Sequence, residues 1–300
     1  MTRVFLWVVG QTQRAPNLCE RREQINLCAE TAIFKIKGDR KMKKNVLQTI
    51  KLAALFILIA LIIAGCSEGA KAPTETLTMG LDDTFAPMGF RDEKGNLIGF
   101  DVDLAEEAAK RIGITMKFQP IDWSMKETEL NAGNIDFIWN GYTITPARQE
   151  MVAFSKPYLE NSQIIVTLAD SEINAKADLS GKNVAVQAES SALDAINAEP
   201  EVAASFGKLN EFSTNNEAFS DLEAKRSDAL VVDEVLARFY MKQNGQENYK
   251  VLEENFGDEE YGVGVRKSDT ELLEKLDKAL DEMKKDGTYD KIYAKWFSEN

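Results

Sequence analysis

From Leu77 onward, apolar positions recur with two alternating periods. Short apolar runs such as "LTMGL" (77–81), "TMKFQP" (115–120) and "IDFIW" (135–139) predict strands. Between the first two, "FDVDLAEEAAKRIG" (100–113) sets Leu104, Ala105, Ala108, Ala109 and Ile112 at helical spacing and stops on Gly113. "MKETELNAG" (125–133) predicts a second helix ending at Gly133. The pattern restarts after "FSKPYLENSQIIVTLAD" (154–170). Strands at 182–187, 208–212, 228–233 and 261–267 then alternate with helices at 190–198, 215–226, 234–243 and 268–287, and "TYDKIYAKWF" (288–297) closes the chain. Such alternation predicts an α/β fold of two lobes, each about 100 residues, built on parallel-rich sheets flanked by helices.

Upstream of Leu77 the pattern is of another kind. Met42 begins a basic stretch with Lys43, Lys44 and Lys51, followed by an unbroken apolar run of 12 residues from Leu52 to Ile63 and then Ala64-Gly65-Cys66. This is the three-part layout of an export signal, and the run is short of the roughly 18 apolar residues a permanent span needs. Residues 1–41 precede a complete signal and are expected to be translated upstream sequence, with Met42 the start. Residues 42–65 are expected to be removed on export. The small, polar stretch 66–76 reads as a tether.

Charge and composition narrow the function. The chain has 36 Lys and Arg against 49 Asp and Glu; 11 and 4 of these lie in residues 1–66, leaving 25 against 45 and a balance of −20 for the remainder. So acidic a body argues against nucleic acid, whose backbone demands a basic face, and fits a soluble monomer. There is no histidine, which removes Ser-His-Asp and Cys-His catalysis and His-ligated metal. After Cys66 there is no cysteine, so the exported part has no disulfide. No cofactor motif is present.

Ligands of such sheets bind beyond the carboxyl ends of strands. The stretch "GYTITPARQE" (141–150) follows a strand end, with Thr145 as N-cap and Pro146 at the first helical position. Arg148 then sits in the first turn, where a cation opposes the helix dipole at a cost of about 0.3–1 kcal/mol. A planar guanidinium held there suits a carboxylate. Ser190 and Ser191 open a helix directly after a strand, and Asp233 ends the apolar strand "ALVV".

At "GFDVDLAEEAAKRI" (99–112) the chain resembles the solute-binding proteins of polar amino-acid ABC importers. "DDTFAPMGF", "GNIDFIWNGYTITPARQEMVAFSKPY", "VVDEV" and "DGTYDKIYAKWF" are similar to that family in order and spacing, and the resemblance spans Leu77 to Phe297. It implies a two-lobed periplasmic-binding-protein-like fold, mixed and mostly parallel, with two crossover strands near 158–165 and 256–263. Lobe 1 is expected at 77–161 plus 258–300, and lobe 2 at 162–257. Ile63–Cys66 resembles the lipobox, which implies lipidation of Cys66 and anchoring at the outer face of the cytoplasmic membrane. The implied partners are a free amino acid and the permease of an ABC importer.

The resemblance also implies roles. Arg148 and the Thr143 N–H take the ligand carboxylate, joined by Ser190 and Ser191 from the second lobe. Asp233 takes the ammonium with the Gly141 carbonyl and the Thr143 hydroxyl. Phe85 and Trp123 sandwich the side-chain stem, with Trp139 in the core. Asp82, Asn140, Gln187 and Glu189 fall where side-chain chemistry is read. Relatives that read glutamine carry lysine at the position of Gln187, and an acidic, lysine-free lining points to a polar or basic amino acid, arginine foremost. Two rival readings on the same fold are a ligand-sensing receptor domain and a dehydratase-type enzyme using Glu189 as acid.

Overall fold

The computed structural model describes residues 74–298. The expected signal segment and the Cys66 lipidation site lie outside the described residues. Along the chain run β1 (Thr76–Leu81), the short strands β2 (Thr84–Phe85), β3 (Gly89–Arg91) and β4 (Leu97–Ile98), α1 (Phe100–Ile112), β5 (Thr115–Pro120), α2 (Lys126–Ala132), β6 (Phe137–Ile138), α3 (Pro146–Gln149), β7 (Ala153–Phe154) and β8 (Leu159–Leu168). A second set follows: β9 (Asn183–Gln187), α4 (Ser191–Asn197), α5 (Pro200–Ser205), β10 (Lys208–Phe212), α6 (Asn215–Glu223), β11 (Ala229–Asp233), α7 (Glu234–Asn244), β12 (Tyr249–Tyr261), β13 (Gly264–Val265), α8 (Thr270–Asp286) and α9 (Thr288–Phe297).

Two five-stranded sheets carry the two lobes, in the orders β5-β1-β6-β13-β7 and β10-β9-β11-β8-β12. In each, the first three strands are parallel and the last two run antiparallel to their neighbours. The chain passes between the sheets twice, from β7 into β8 and from β12 into β13. Those two passages lie side by side, because β8 and β12 pair antiparallel with Asn161 opposite Glu259 and Leu159 opposite Tyr261. A small antiparallel sheet of β2, β3 and β4 sits ahead of α1.

The elements form for the reasons their sequences supply. All five residues of β11 are buried: Ala229 to Val232 form the apolar run a central strand requires, and Asp233 ends it. In α1, Val102, Leu104, Ala105, Ala108 and Ala109 are buried, and Gly113 closes the helix at φ 83°, where glycine alone avoids a Cβ clash. In α8, Leu276, Ala279, Leu280 and Met283 are buried at three- and four-residue intervals. That stripe joins the same apolar core as α1 and β1, and both C-terminal helices pack against α1.

Candidate functional site

The loop from β6 to α3 is fixed by a group that sequence reading passed over. Asp101, in the first turn of α1, is fully buried and accepts the Gly141 N–H at 2.8 Å and the Tyr158 O–H at 2.9 Å. Burial pushes its carboxyl up to about 7 despite these bonds. Gly141 has φ 58°, and a Cβ there would stand 2.9 Å from the Phe85 ring and 3.2 Å from Tyr261. The loop therefore needs glycine both for its left-handed turn and for close approach.

Arg148 is 4% exposed. Thr145 caps α3 by accepting the Arg148 N–H at 3.2 Å, with Pro146 at the first position. The helix is only four residues long, so the dipole opposition expected from sequence does not arise. What holds the guanidinium is the Thr143 carbonyl, which accepts from Nη1 at 3.1 Å, and the Tyr142 ring, 4.8 Å away. No salt bridge joins Arg148 to a carboxylate among the described residues.

On the second lobe, Ser190 caps α4: its hydroxyl accepts the Leu193 N–H at 3.2 Å and donates to the Gln187 carbonyl at 2.7 Å. That hydroxyl is committed, leaving the first-turn N–H groups of α4 as its offer to a ligand. Glu189, just before, holds φ 52°, a strained conformation for a non-glycine residue. Asp233 is buried and does not cap α7. Its Oδ1 accepts from Asn161 Nδ2 at 2.8 Å, Gln163 Nε2 at 3.0 Å and the Tyr261 hydroxyl at 2.5 Å. Beside it, Glu259 Oε1 accepts from the same Asn161 and Gln163 amides at 2.7 and 2.8 Å, and from Thr143 Oγ1 at 2.9 Å. Burial first, and the Glu259 charge second, push the Asp233 carboxyl well above the usual range.

Side-chain hydrogen bonds also bring the two sides of the cleft together. Thr143 Oγ1 lies 2.9 Å from Ser191 Oγ, Gln187 Nε2 donates to Asp82 Oδ2 at 3.1 Å, and Lys126 Nζ donates to the Glu189 carbonyl at 3.0 Å. The lobes are thus closed on each other, and Asp82, Asn140, Thr143, Gln187, Ser191 and Asp233 are all buried. Asp82 also accepts from Thr84 N–H and O–H, and Asn140 Oδ1 accepts the Asp82 N–H at 2.9 Å. Burial raises the Asp82 carboxyl against those bonds, and no Lys or Arg pairs with it among the described residues. Asn140 Nδ2 is buried without a partner.

Phe85 and Trp123 are both buried, Phe85 over Gly141 and Trp123 edge-on to Tyr142 at 5.9 Å. Trp139 is wholly buried core, as expected. One expectation fails. The lining is not free of lysine, since Lys126 is 3% exposed, ion-pairs with Glu127 at 3.4 Å and lies 5.1 Å from the Trp123 ring. Burial holds its ammonium below the ordinary lysine range. Its position at the start of a short charged helix gave no hint of burial. Asn161 and Gln163 were also missed, although their two-residue spacing on β8 puts both on one face.

A family model described as bacterial extracellular solute-binding proteins, family 3, matches residues 77–299. The chain is 34% identical over 267 residues to the lysine/arginine/ornithine-binding periplasmic protein of Escherichia coli (strain K12), covering 86% of this chain and 98% of that one. It is 31% identical over 251 residues to the arginine-binding extracellular protein ArtP of Bacillus subtilis (strain 168), covering 82% and 96%. It is similar to the crystal structure of an ABC uptake transporter substrate binding protein from Streptococcus pneumoniae with bound histidine, at TM-score 0.73 and 42% identity, covering 75% of this chain and 93% of that one.

Proposed function

Because this chain belongs to the bacterial extracellular solute-binding proteins, family 3, we propose that it captures a free cationic L-α-amino acid, arginine foremost, between its lobes and delivers it to the permease of an ABC importer. The observation that carries this reading is a pair of complementary buried groups, the Arg148 guanidinium and the Asp233 carboxyl, linked through Thr143. Thr143 presents its carbonyl to Arg148 and its hydroxyl to Ser191 and to Glu259, the neighbour of Asp233. A buried charge without an opposite partner costs several kcal/mol, and a zwitterion supplies a partner to both ends.

Each end then has a defined role. Arg148, the Thr143 N–H and the first-turn N–H groups of Ser190 and Ser191 hold the carboxylate. Asp233 holds the ammonium with the Gly141 carbonyl. Phe85 and Trp123 enclose the stem, and Asp82, with Asn140 and Gln187, receives a guanidinium or second ammonium. The relatives named for arginine, for lysine, arginine and ornithine, and the structure with bound histidine support a cationic side chain.

Transport logic follows from which lobe supplies each contact. Taking lobe 1 as 77–161 with 258–300 and lobe 2 as 162–257, carboxylate donors come from both sides. A ligand so held binds the closed form better than the open one and shifts the hinge equilibrium. The action is binding without bond cleavage by a monomer. A micromolar Kd, about −8 kcal/mol, suits capture and release. Cys66, lipidated after export, would tether the protein at the outer face of the cytoplasmic membrane.

The test is thermal unfolding of the protein against a panel of amino acids. Arginine, lysine, ornithine or histidine is expected to raise the midpoint. A panel in which no amino acid does so contradicts the reading.

A further inference from the structure

We propose that Glu259 makes ligand capture proton-coupled: its carboxylate keeps a proton on Asp233 in the ligand-free site, and the incoming ammonium expels that proton. The inference rests on the amino-acid reading above. Two carboxylates are fastened to the same two donor groups. The side-chain amides of Asn161 and Gln163 each donate to Asp233 Oδ1 and to Glu259 Oε1, at distances between 2.7 and 3.0 Å. Like charges held this close cannot both stay ionised without a cation between them.

The pair does not depend on lobe closure. Asp233 lies opposite Gln163 in the β11–β8 pairing, and Asn161 lies opposite Glu259 in the β8–β12 pairing. These residues belong to three adjacent strands of one sheet, so opening the cleft leaves them together. Outside this sheet, Thr143 of the β6–α3 loop also reaches Glu259.

From β12, Tyr261 donates its hydroxyl to Asp233, and Tyr158 stands beside Tyr261 with ring centroids 6.4 Å apart. From α4, Ser191 offers only a hydroxyl to Gln163. Glu234 follows Asp233 at the start of α7 and, with Glu160, Asp258, Glu259 and Glu260, lines a cavity of about 540 Å³. Among the described residues, no Lys or Arg forms a salt bridge with either carboxylate. The cavity is walled by Glu259 and Asn161, so the expelled proton has an acidic, solvent-connected way out. Burial and the Glu259 charge raise the Asp233 carboxyl, in keeping with the geometry.

The sign of the pH dependence follows. The ammonium binds the ionised form, so affinity climbs with pH while Asp233 is protonated in the free protein, by up to about tenfold per pH unit. The experiment is calorimetric titration of the full chain with L-arginine at about pH 6.5, in phosphate and in Tris, whose ionisation heats differ. Wild type is expected to release close to one proton per arginine, and Glu259→Gln less than half as much. Binding by wild type without proton release overturns the inference, and so does equal release by both proteins. The ligand-free chain gives an independent arm, the ¹³C carboxyl titration of Asp233 by NMR. Its midpoint is expected to fall in Glu259→Gln, and an unchanged midpoint overturns the inference. If arginine, lysine, ornithine and histidine all fail to bind, the amino-acid reading fails, while the NMR arm still decides the carboxylate pair.

Discussion

Gln187 reaches across the closed cleft to Asp82, its Nε2 lying 3.1 Å from Asp82 Oδ2. The contact joins the end of β9 to the end of β1, two strand ends in different sheets. It leaves Asp82 a buried carboxylate with hydrogen bonds but no salt bridge among the described residues. Asp82→Asn is expected to weaken arginine binding by about 10- to 150-fold, the loss of one charge-assisted contact worth about 1.5–3 kcal/mol. Binding of a neutral amino acid such as glutamine should weaken far less, which calorimetry on both ligands would reveal.

Asp101 links folding to pH. Its folded value is about 7, raised by burial above an ordinary aspartate. The stability it contributes is therefore fully present below about pH 4 and is lost as pH rises through about 7. Asp101→Asn keeps a carbonyl oxygen for the Gly141 N–H and cannot ionise. Its unfolding free energy, compared with wild type across that window, should lack a decline on the order of a few kcal/mol. Parallel curves for the two proteins would contradict this.

Gly141→Ala should injure both fold and site. The left-handed conformation costs a non-glycine residue about 1 kcal/mol, and the new methyl group meets the Phe85 ring at 2.9 Å. A loss of about 1–3 kcal/mol in denaturant unfolding is expected. A binding loss of at least tenfold should accompany it, because Phe85 must move.

Lys126 braces the closed form through the Glu189 carbonyl. Lys126→Met keeps most of the volume and removes that bond. The ligand-free protein is then expected to open more often, seen as lower transfer efficiency between dyes placed on the two lobes. Ligand should dissociate several-fold faster. Unchanged efficiency would show that the bond does not bias the hinge.

Much of the scaffold was legible because period and punctuation agreed. The helix at Phe100–Ile112 ends at the expected glycine, and β5 and β10 span the expected residues. The strands β2, β3 and β4 hold two or three residues each, too few for any period to register. β12 begins at Tyr249, ahead of the crossover expected near 256–263, its first half hidden behind acids and two register shifts, and the strand expected at 261–267 is only the two-residue β13. Within the candidate site, Arg148, Ser190, Ser191 and Asp233 stand out in the sequence as polar residues at strand ends or helix starts, while Asp82 comes only from the family resemblance. Asp101, Lys126, Asn161, Gln163, Glu259 and Tyr261 were not. Their burial arises from contacts such as Asn161 to Glu259, 98 positions apart in the chain. No local pattern encodes a partner at that separation.

The central claim is that Arg148 holds the α-carboxylate of an amino acid, and agmatine, which is arginine without that carboxylate, isolates it. Calorimetric Kd values for arginine and agmatine on wild type and on Arg148→Ala form a closed cycle. Wild type should prefer arginine by about 100-fold, in line with a charge-assisted contact of about 1.5–3 kcal/mol, and in Arg148→Ala that preference should fall to a few-fold or less. An Arg148→Ala protein that folds and still separates the two ligands as wild type does would contradict the account.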